Sequence, residues 1–456
     1  MVLVPLPHRT PFYGLGASAR LSMARVLPEG IPRETALVVG LISGSHVINH
    51  MYLVLFPPIM AILAAEFEVS LAALGVAMGV QAFVNTAFQL PYGYLADNYD
   101  RTLTLGLCLG LGALGTAILA LAPTFEWLLV GQAILGIGIA GHHPSHYSLL
   151  ADATPEAHRG RAFSVHGFAG NLGFAAPPVV IVGVMALPGL GWRHAFGLIA
   201  VVGALYGLVA CVVLARRVSN DVTRPNVSER TPATADGTSE SLVAGWRTRF
   251  VSGGREILET PAILALGVLA MVASTAHWGV TSYVVVLLEE GYGVASGTAS
   301  LTLTAMFVTG AAFILVGGDL ADRFTPGPIL TGAYLLVTVF VLALASFALG
   351  PLAAVVAAVL AGSVGSLGTP AKDKLADVLS ARADLGRNFA IVTIGIMVGN
   401  TIAPPLFGAI IETAGFEVAF ASVGAVALLS ALLTAVIVVR YRDGVTVPVG
   451  GQPGDD

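Results

Sequence analysis

Gly93-Tyr94-Leu95-Ala96-Asp97 returns as Gly318-Asp319-Leu320-Ala321-Asp322, 225 positions further along the chain. Gly160-Arg161-Ala162-Phe163 returns as Gly386-Arg387-Asn388-Phe389 at an offset of 226, and Pro177-Pro178 as Pro404-Pro405 at 227. Gly191-Trp192-Arg193-His194-Ala195-Phe196 returns as Gly415-Phe416-Glu417-Val418-Ala419-Phe420 at 224. Four matches at nearly one spacing mark a duplicated chain. In an apolar sequence, parallel halves of this kind suit a membrane protein in which one bundle rocks against the other around a central site.

Apolarity is the second constraint. The 456 residues are 56% hydrophobic and 11% charged, with a mean hydropathy of +0.84, whereas soluble domains carry about 25% charged residues. So few charges cannot cover a water-facing surface, so most of the exterior faces lipid. The net charge of −5 says little, because placement of charge outweighs its sum in a bilayer. Cys108 and Cys211 both lie in apolar runs and read as small buried hydrophobes. Prolines at 5, 7, 11, 28 and 32 break the opening segment, which reads as a tail rather than a signal peptide.

A helix needs about 20 apolar residues to span a bilayer. Such runs fall at 36–63, 70–92, 102–122, 126–149, 161–187, 193–215, 261–288, 297–317, 327–349, 351–373, 387–411 and 416–440. The expected domains are therefore a tail (1–34), a six-helix bundle (35–215), a linker rich in Ser, Thr, Arg, Glu and Pro (216–258), a second six-helix bundle (259–442) and a closing tail (443–456). A short amphipathic helix is expected within the linker, between Leu242 and Ile257.

Arginine placement sets the orientation. With the N-terminus inside, Arg9, Arg20, Arg25, Arg33, Arg101, Arg159, Arg161, Arg216, Arg217, Arg323, Arg382, Arg387, Arg440 and Arg442 fall on the inner side, and Arg193 falls on the outer. The positive-inside rule then puts both termini in the cytoplasm.

The stretch Gly93 to Arg101 resembles the signature loop of the major facilitator superfamily: glycine, three residues, aspartate, then a basic residue. Gly318 to Arg323 is its second-half copy. The resemblance implies an all-α membrane protein, with twelve transmembrane helices in two pseudo-symmetric six-helix bundles. Within that superfamily the first half is similar to the fosmidomycin-resistance type of exporter. The shared stretches are Ser45-His46-Val47-Ile48-Asn49-His50-Met51, His143-Pro144-Ser145, and Gly170-Asn171-Leu172-Gly173 with Pro178. Position 50 is His where an aspartate is common. The family further implies that spans 1, 4, 7 and 10 line a central cavity, and that the chain works as a monomer.

Ionisable groups inside lipid are costly and normally face a partner or water. Here they collect on those four spans: His46 and His50, then His142, His143 and His146, then His277, then Lys372 and Asp373, with His166 in span five as the exception. His46 and His50 share one helix face at i, i+4. They carry protons or bind an anion, or else sit neutral and hydrogen-bonded between helices. His142 and His146 repeat the spacing, and Pro144 removes a backbone hydrogen bond and kinks the span. No thiolate or carboxylate joins these imidazoles, so no metal site is expected. Lys372 pairs with Asp373 or an anionic substrate, or snorkels to the surface. Asn49 lies on the same span as the first histidines. Gln81 and Asn85 stripe the second span, contacting substrate or gluing helices.

A second set is expected to move rather than bind. Gly93, Asp97 and Arg101, with Gly318, Asp322 and Arg323, would form charge locks in the inner loops, against helix ends and neighbours such as Arg161 or Arg387. Asn171, Pro177, Pro178, Asn400 and Pro404 would form bending or sealing surfaces.

These features favour a secondary transporter of the inner (plasma) membrane, a proton-coupled exporter of a small anionic or amphiphilic compound acting by alternating access. A proton-coupled importer of an organic anion and a non-transporting receptor or scaffold remain alternatives. No nucleotide-binding loop and no nucleophile with base and orienter is present, so neither an enzyme nor a cofactor is expected, nor a nucleic-acid partner.

Overall fold

The computed structural model describes residues 31–224, 261–379 and 385–441. The linker segment expected to hold the amphipathic helix and both outer tails lie largely outside these residues. No strand occurs among those described. A bilayer interior offers backbone amides no water, and a helix is the local solution.

In the first half, α1 (Arg33–Met51) continues through 3-10 turns at Tyr52–Val54 and Pro57–Ile59 into α2 (Met60–Phe67). Pro57 and Pro58 carry no amide hydrogen, which interrupts the ladder within the single run expected over 36–63. Then follow α3 (Leu71–Asn98), α4 (Arg101–Leu121), α5 (Phe125–Ala140), α6 (His142–Ala153), α7 (Glu156–Met185), α8 (Trp192–Arg217) and the short α9 (Asn220–Thr223).

The second half comprises α10 (Pro261–Val286), α11 (Ser296–Arg323), α12 (Pro326–Ala345), α13 (Pro351–Ser363), α14 (Thr369–Val378) and α15 (Leu385–Arg440). Eleven segments are long and apolar enough to cross a membrane. At about 1.5 Å per residue, the 56 residues of α15 would overrun one crossing. Gly415, with φ 83° and ψ 171°, breaks it in two. Such a left-handed φ is open to glycine and strained for other residues. Counting both parts gives the expected twelve crossings, so the chain enters at Arg33 and leaves at Arg440 on one side, here called the near face.

The fourth and tenth crossings are broken at matching places. The fourth bends at Gly141, between α5 and α6, because Pro144 has no amide hydrogen for the Ala140 carbonyl. In the tenth, a 3-10 turn (Val364–Gly368) separates α13 from α14, and Pro370 opens the new helix.

The duplicated loops hold different partners. Arg101 is buried; its Nη1 donates to Asp152 Oδ2 at 2.5 Å and to the Val222 carbonyl at 2.8 Å. It thus clamps α4, α6 and α9 within the first half. Asp100 caps α4 by accepting from the amides of Thr102 (2.7 Å) and Leu103 (2.9 Å). Arg323 is exposed and pairs with Asp319 one turn earlier at 2.7 Å. Gly93, Asp97, Gly318 and Asp322 lie in the last turns of α3 and α11, with both aspartates exposed. The side chain of Arg387 falls outside the described residues.

The halves meet mainly toward the far face. Ser300 Oγ donates to the Pro58 carbonyl (2.7 Å), and Thr304 Oγ1 to that of Ala175 (2.8 Å). Tyr283 Oη lies 2.5 Å from the Pro404 carbonyl and 3.3 Å from that of Leu71. Nearer the chain ends, Gln89 Nε2 reaches Met397 Sδ at 3.4 Å.

Candidate functional site

The close approach of α1 to α7 creates the first part of the site. Gly170 and Gly173 lie one turn apart on α7. A Cβ at 170 would come within 2.5 Å of the His46 ring, and one at 173 within 2.5 Å of the Val47 carbonyl. Hydrogen atoms in place of side chains let the imidazoles reach the α7 backbone. His46 Nδ1 is 2.8 Å from the His166 carbonyl oxygen and His50 Nδ1 is 2.9 Å from that of Gly170. The two Nε2 atoms face each other at 2.9 Å.

Around this pair gather His142, His143 and His146 from α6 and His166 from α7. The His46 ring stacks on His166 at 4.1 Å and on His142 at 5.0 Å. His146 Nδ1 meets His166 Nε2 at 3.1 Å, and His142 Nε2 lies 3.4 Å from Ser45 Oγ. His166, set aside as an exception in the sequence, is therefore central. The signal that would have found it is its ring in the same apolar setting as the others; the pairing of α1 with α7 was invisible.

These histidines are buried inside the first half, except for half-buried His143, and this corrects the expectation that they line the cavity. The same holds for Asn49, which accepts weakly from Cys108 Sγ at 3.7 Å, and for Gln81, whose Nε2 donates to the Tyr52 carbonyl at 3.0 Å. Both tie helices together. Asn85 is half-buried on α3. The donor atoms of His46, His142 and His143 spread over 4.8 Å, against about 3.4 Å between ligands of a tetrahedral ion. Both His46 nitrogens are already engaged, so the set does not read as a metal site.

The second part is a cavity of about 300 Å³ between the halves. Asn171 and Phe174 of α7 face His277, Trp278, Tyr334, Ser366 and Lys372 across it. Phe174 stacks on Phe307 at 5.0 Å and meets the His50 ring at 4.1 Å from its other side. One aromatic ring therefore separates the histidine pair from the cavity. Lys372 is largely buried, and its Nζ is 3.7 Å from Asp373 Oδ1. Asp373 itself is exposed and does not line this cavity, contrary to expectation.

The hinge candidates frame this site. Asn171 Nδ2 donates to the Gly167 carbonyl at 3.0 Å, and Asn400 Oδ1 accepts from Ser274 Oγ at 2.5 Å. Pro177 and Pro178 are buried within α7. Pro404 lies inside α15, its carbonyl taken by Tyr283.

Two six-helix bundles around a small central cavity with one lysine and an adjacent imidazole cluster define a membrane carrier. The chain belongs to the Major Facilitator Superfamily, whose family model it matches over residues 42–347 and 266–453. It is therefore a multi-pass membrane transporter and not an enzyme. It is similar to the fosmidomycin resistance protein of Escherichia coli K12, 26% identical over 312 residues, 67% of this chain and 70% of that one. It also resembles a putative metabolite transport protein of Haemophilus influenzae, 28% identical over 238 residues, 52% of this chain and 55% of that one. A bacterial homolog of the human lysosomal transporter Spinster, solved inward-facing and occupied, shares its fold. That TM-score is 0.73 at 15% identity, covering 92% of this chain and all of that one.

Proposed function

We propose that this transporter exports a small anionic or amphiphilic compound across the plasma membrane in exchange for protons, with both termini in the cytoplasm. The observation that carries the reading is Lys372 at the cavity wall, one aromatic ring away from a histidine cluster. A cation held in a poorly solvated cavity favours an anion, and imidazoles titrate in the range a cell's proton gradient spans. The name of the Escherichia coli relative supports export of an antibiotic-type compound. The arginine bias supports the orientation. Arg193, on the far face, is neutralised by Glu66 at 2.8 Å and stacks on Trp192 at 4.5 Å.

The test is uptake of radiolabelled fosmidomycin into inverted membrane vesicles with an acidic lumen. The expected result is uptake that collapses when a protonophore dissipates the gradient. Uptake indifferent to the gradient would overturn proton coupling, and gradient-driven accumulation by intact cells would assign import instead.

A further inference from the structure

Hydrogen-bond acceptors fix the protonation state of His46 and His50. Each Nδ1 faces a main-chain carbonyl, His166 O at 2.8 Å and Gly170 O at 2.9 Å. A carbonyl oxygen has no hydrogen to give, so each Nδ1 must carry one. That hydrogen is the whole complement of a neutral imidazole, and it leaves each Nε2 a bare lone pair. Yet the two Nε2 atoms lie 2.9 Å apart in hydrogen-bond geometry. A third hydrogen must sit between them, and three hydrogens on two rings make one positive charge. We propose that His46 and His50 together bind a single proton, shared between their Nε2 atoms, and that its departure unfastens α1 from α7.

The consequence for the seam is direct. Without the proton, two lone pairs would oppose each other at hydrogen-bond distance, so one ring must turn or move its hydrogen from Nδ1 to Nε2. Either change takes the hydrogen of that Nδ1 off the carbonyl, and a bond between α1 and α7 goes with it. The groups around the pair are His142 (5.0 Å from the His46 ring), His143 (5.9 Å) and His146 (5.5 Å) on α6, and His166 (4.1 Å) on α7. Cys108 of α4 reaches Asn49, and Tyr206 of α8 donates to the Leu41 carbonyl at 2.7 Å. The titratable side chains whose contacts reach the pair are histidines, and none of its hydrogen bonds or ring contacts is to a carboxylate. An unpaired buried cation is expensive, which suits a proton that must leave in every cycle. Half-buried His143, stacked at 5.9 Å on exposed Tyr147, offers a way in. Phe174, touching His50 on one side and the cavity on the other, places the proton next to the substrate. That last role rests on the export reading above; the proton site itself does not.

The experiment is nitrogen NMR of the full chain, 15N-labelled at histidine, in lipid nanodiscs. At about pH 6, two Nε2 nitrogens coupled through one hydrogen are expected, and at about pH 9 the coupling should vanish. His50→Gln and His46→Gln should each abolish it, while His158→Gln in the first turn of α7, at the near face, leaves it intact. The titration of the unaltered protein serves if a variant fails to fold. Two neutral rings without coupling throughout the titration would overturn the proposal. A coupled pair in a protein whose vesicle uptake ignores the pH gradient would keep the proton site and end the proton-exchange part of the reading above. Gradient-driven uptake without a coupled pair would do the reverse.

Discussion

Lys372→Glu is expected to abolish gradient-driven uptake of an anionic compound, a fall of about a hundredfold or more, in a protein that still folds. Lys372 lines the cavity, and its side chain is 17% exposed. Near a protein surface, unit charges about 4 Å apart interact by about 4 kcal/mol. Reversing the sign turns that attraction for an anion into repulsion and adds a like charge beside Asp373. Even after generous discount for solvent screening, the loss exceeds the 2.7 kcal/mol or so that a hundredfold represents. Lys372→Met keeps the stem and removes only the charge, so about a tenfold loss is expected. Initial rates in vesicles, with thermal melting as the folding control, read both. Wild-type rates for Lys372→Met would remove the lysine from substrate recognition.

Gly173→Val should lower both stability and transport through the seam between α1 and α7. A Cβ at 173 meets the Val47 carbonyl oxygen at 2.5 Å and His50 Cβ at 2.7 Å. Neither atom can swing aside as a side-chain tip can, so the helices must part. Overpacking of this kind costs about 1–3 kcal/mol, and the separation pulls both imidazoles off their carbonyls. A melting temperature lower by several degrees and a transport rate down at least tenfold are expected, on the order of those energies. Gly167, six residues earlier on α7, has open space at its Cβ position. Gly167→Ala should therefore leave both measurements near wild type. If the two variants behave alike, close approach at 173 does not matter.

The crossings were legible because a bilayer dictates their length and apolarity, and the duplication was legible because it repeats short motifs. What escaped was helix pairing. Spacing shows that His46 and His50 share a face, yet not that the face meets α7, whose glycines and carbonyls receive both rings. For that reason His166 looked like an outlier, and the particular partners of Arg101, Asp152 and the Val222 carbonyl, were not named in advance. The interruption at Pro57 and Pro58 likewise comes from local backbone chemistry, whereas the break at Gly415 falls where the sequence already parts its last two apolar runs. Lys372 was the opposite case. The chain's two lysines, Lys372 and Lys374, flank Asp373 at the end of an apolar run and announce themselves, and the pairing of Lys372 with Asp373 needed only sequence adjacency.

The hydroxyls of Ser300 and Thr304 come from the second half, and on the first half they reach only peptide oxygens, at Pro58 and Ala175. The one hydroxyl hydrogen of Tyr283 goes to Pro404 in its own half at 2.5 Å and leaves Leu71 at 3.3 Å. Neutral donors on neutral acceptors respond to neither acid nor ionic strength. At roughly 1 kcal/mol apiece, the Ser300 and Thr304 bonds hold the far-face contact between the halves with about 2 kcal/mol, within the size of gap that separates major and minor conformers. Such a latch ignores the medium it faces. It yields to displacement of one bundle against the other, so acidity must be converted into movement elsewhere before this door can open.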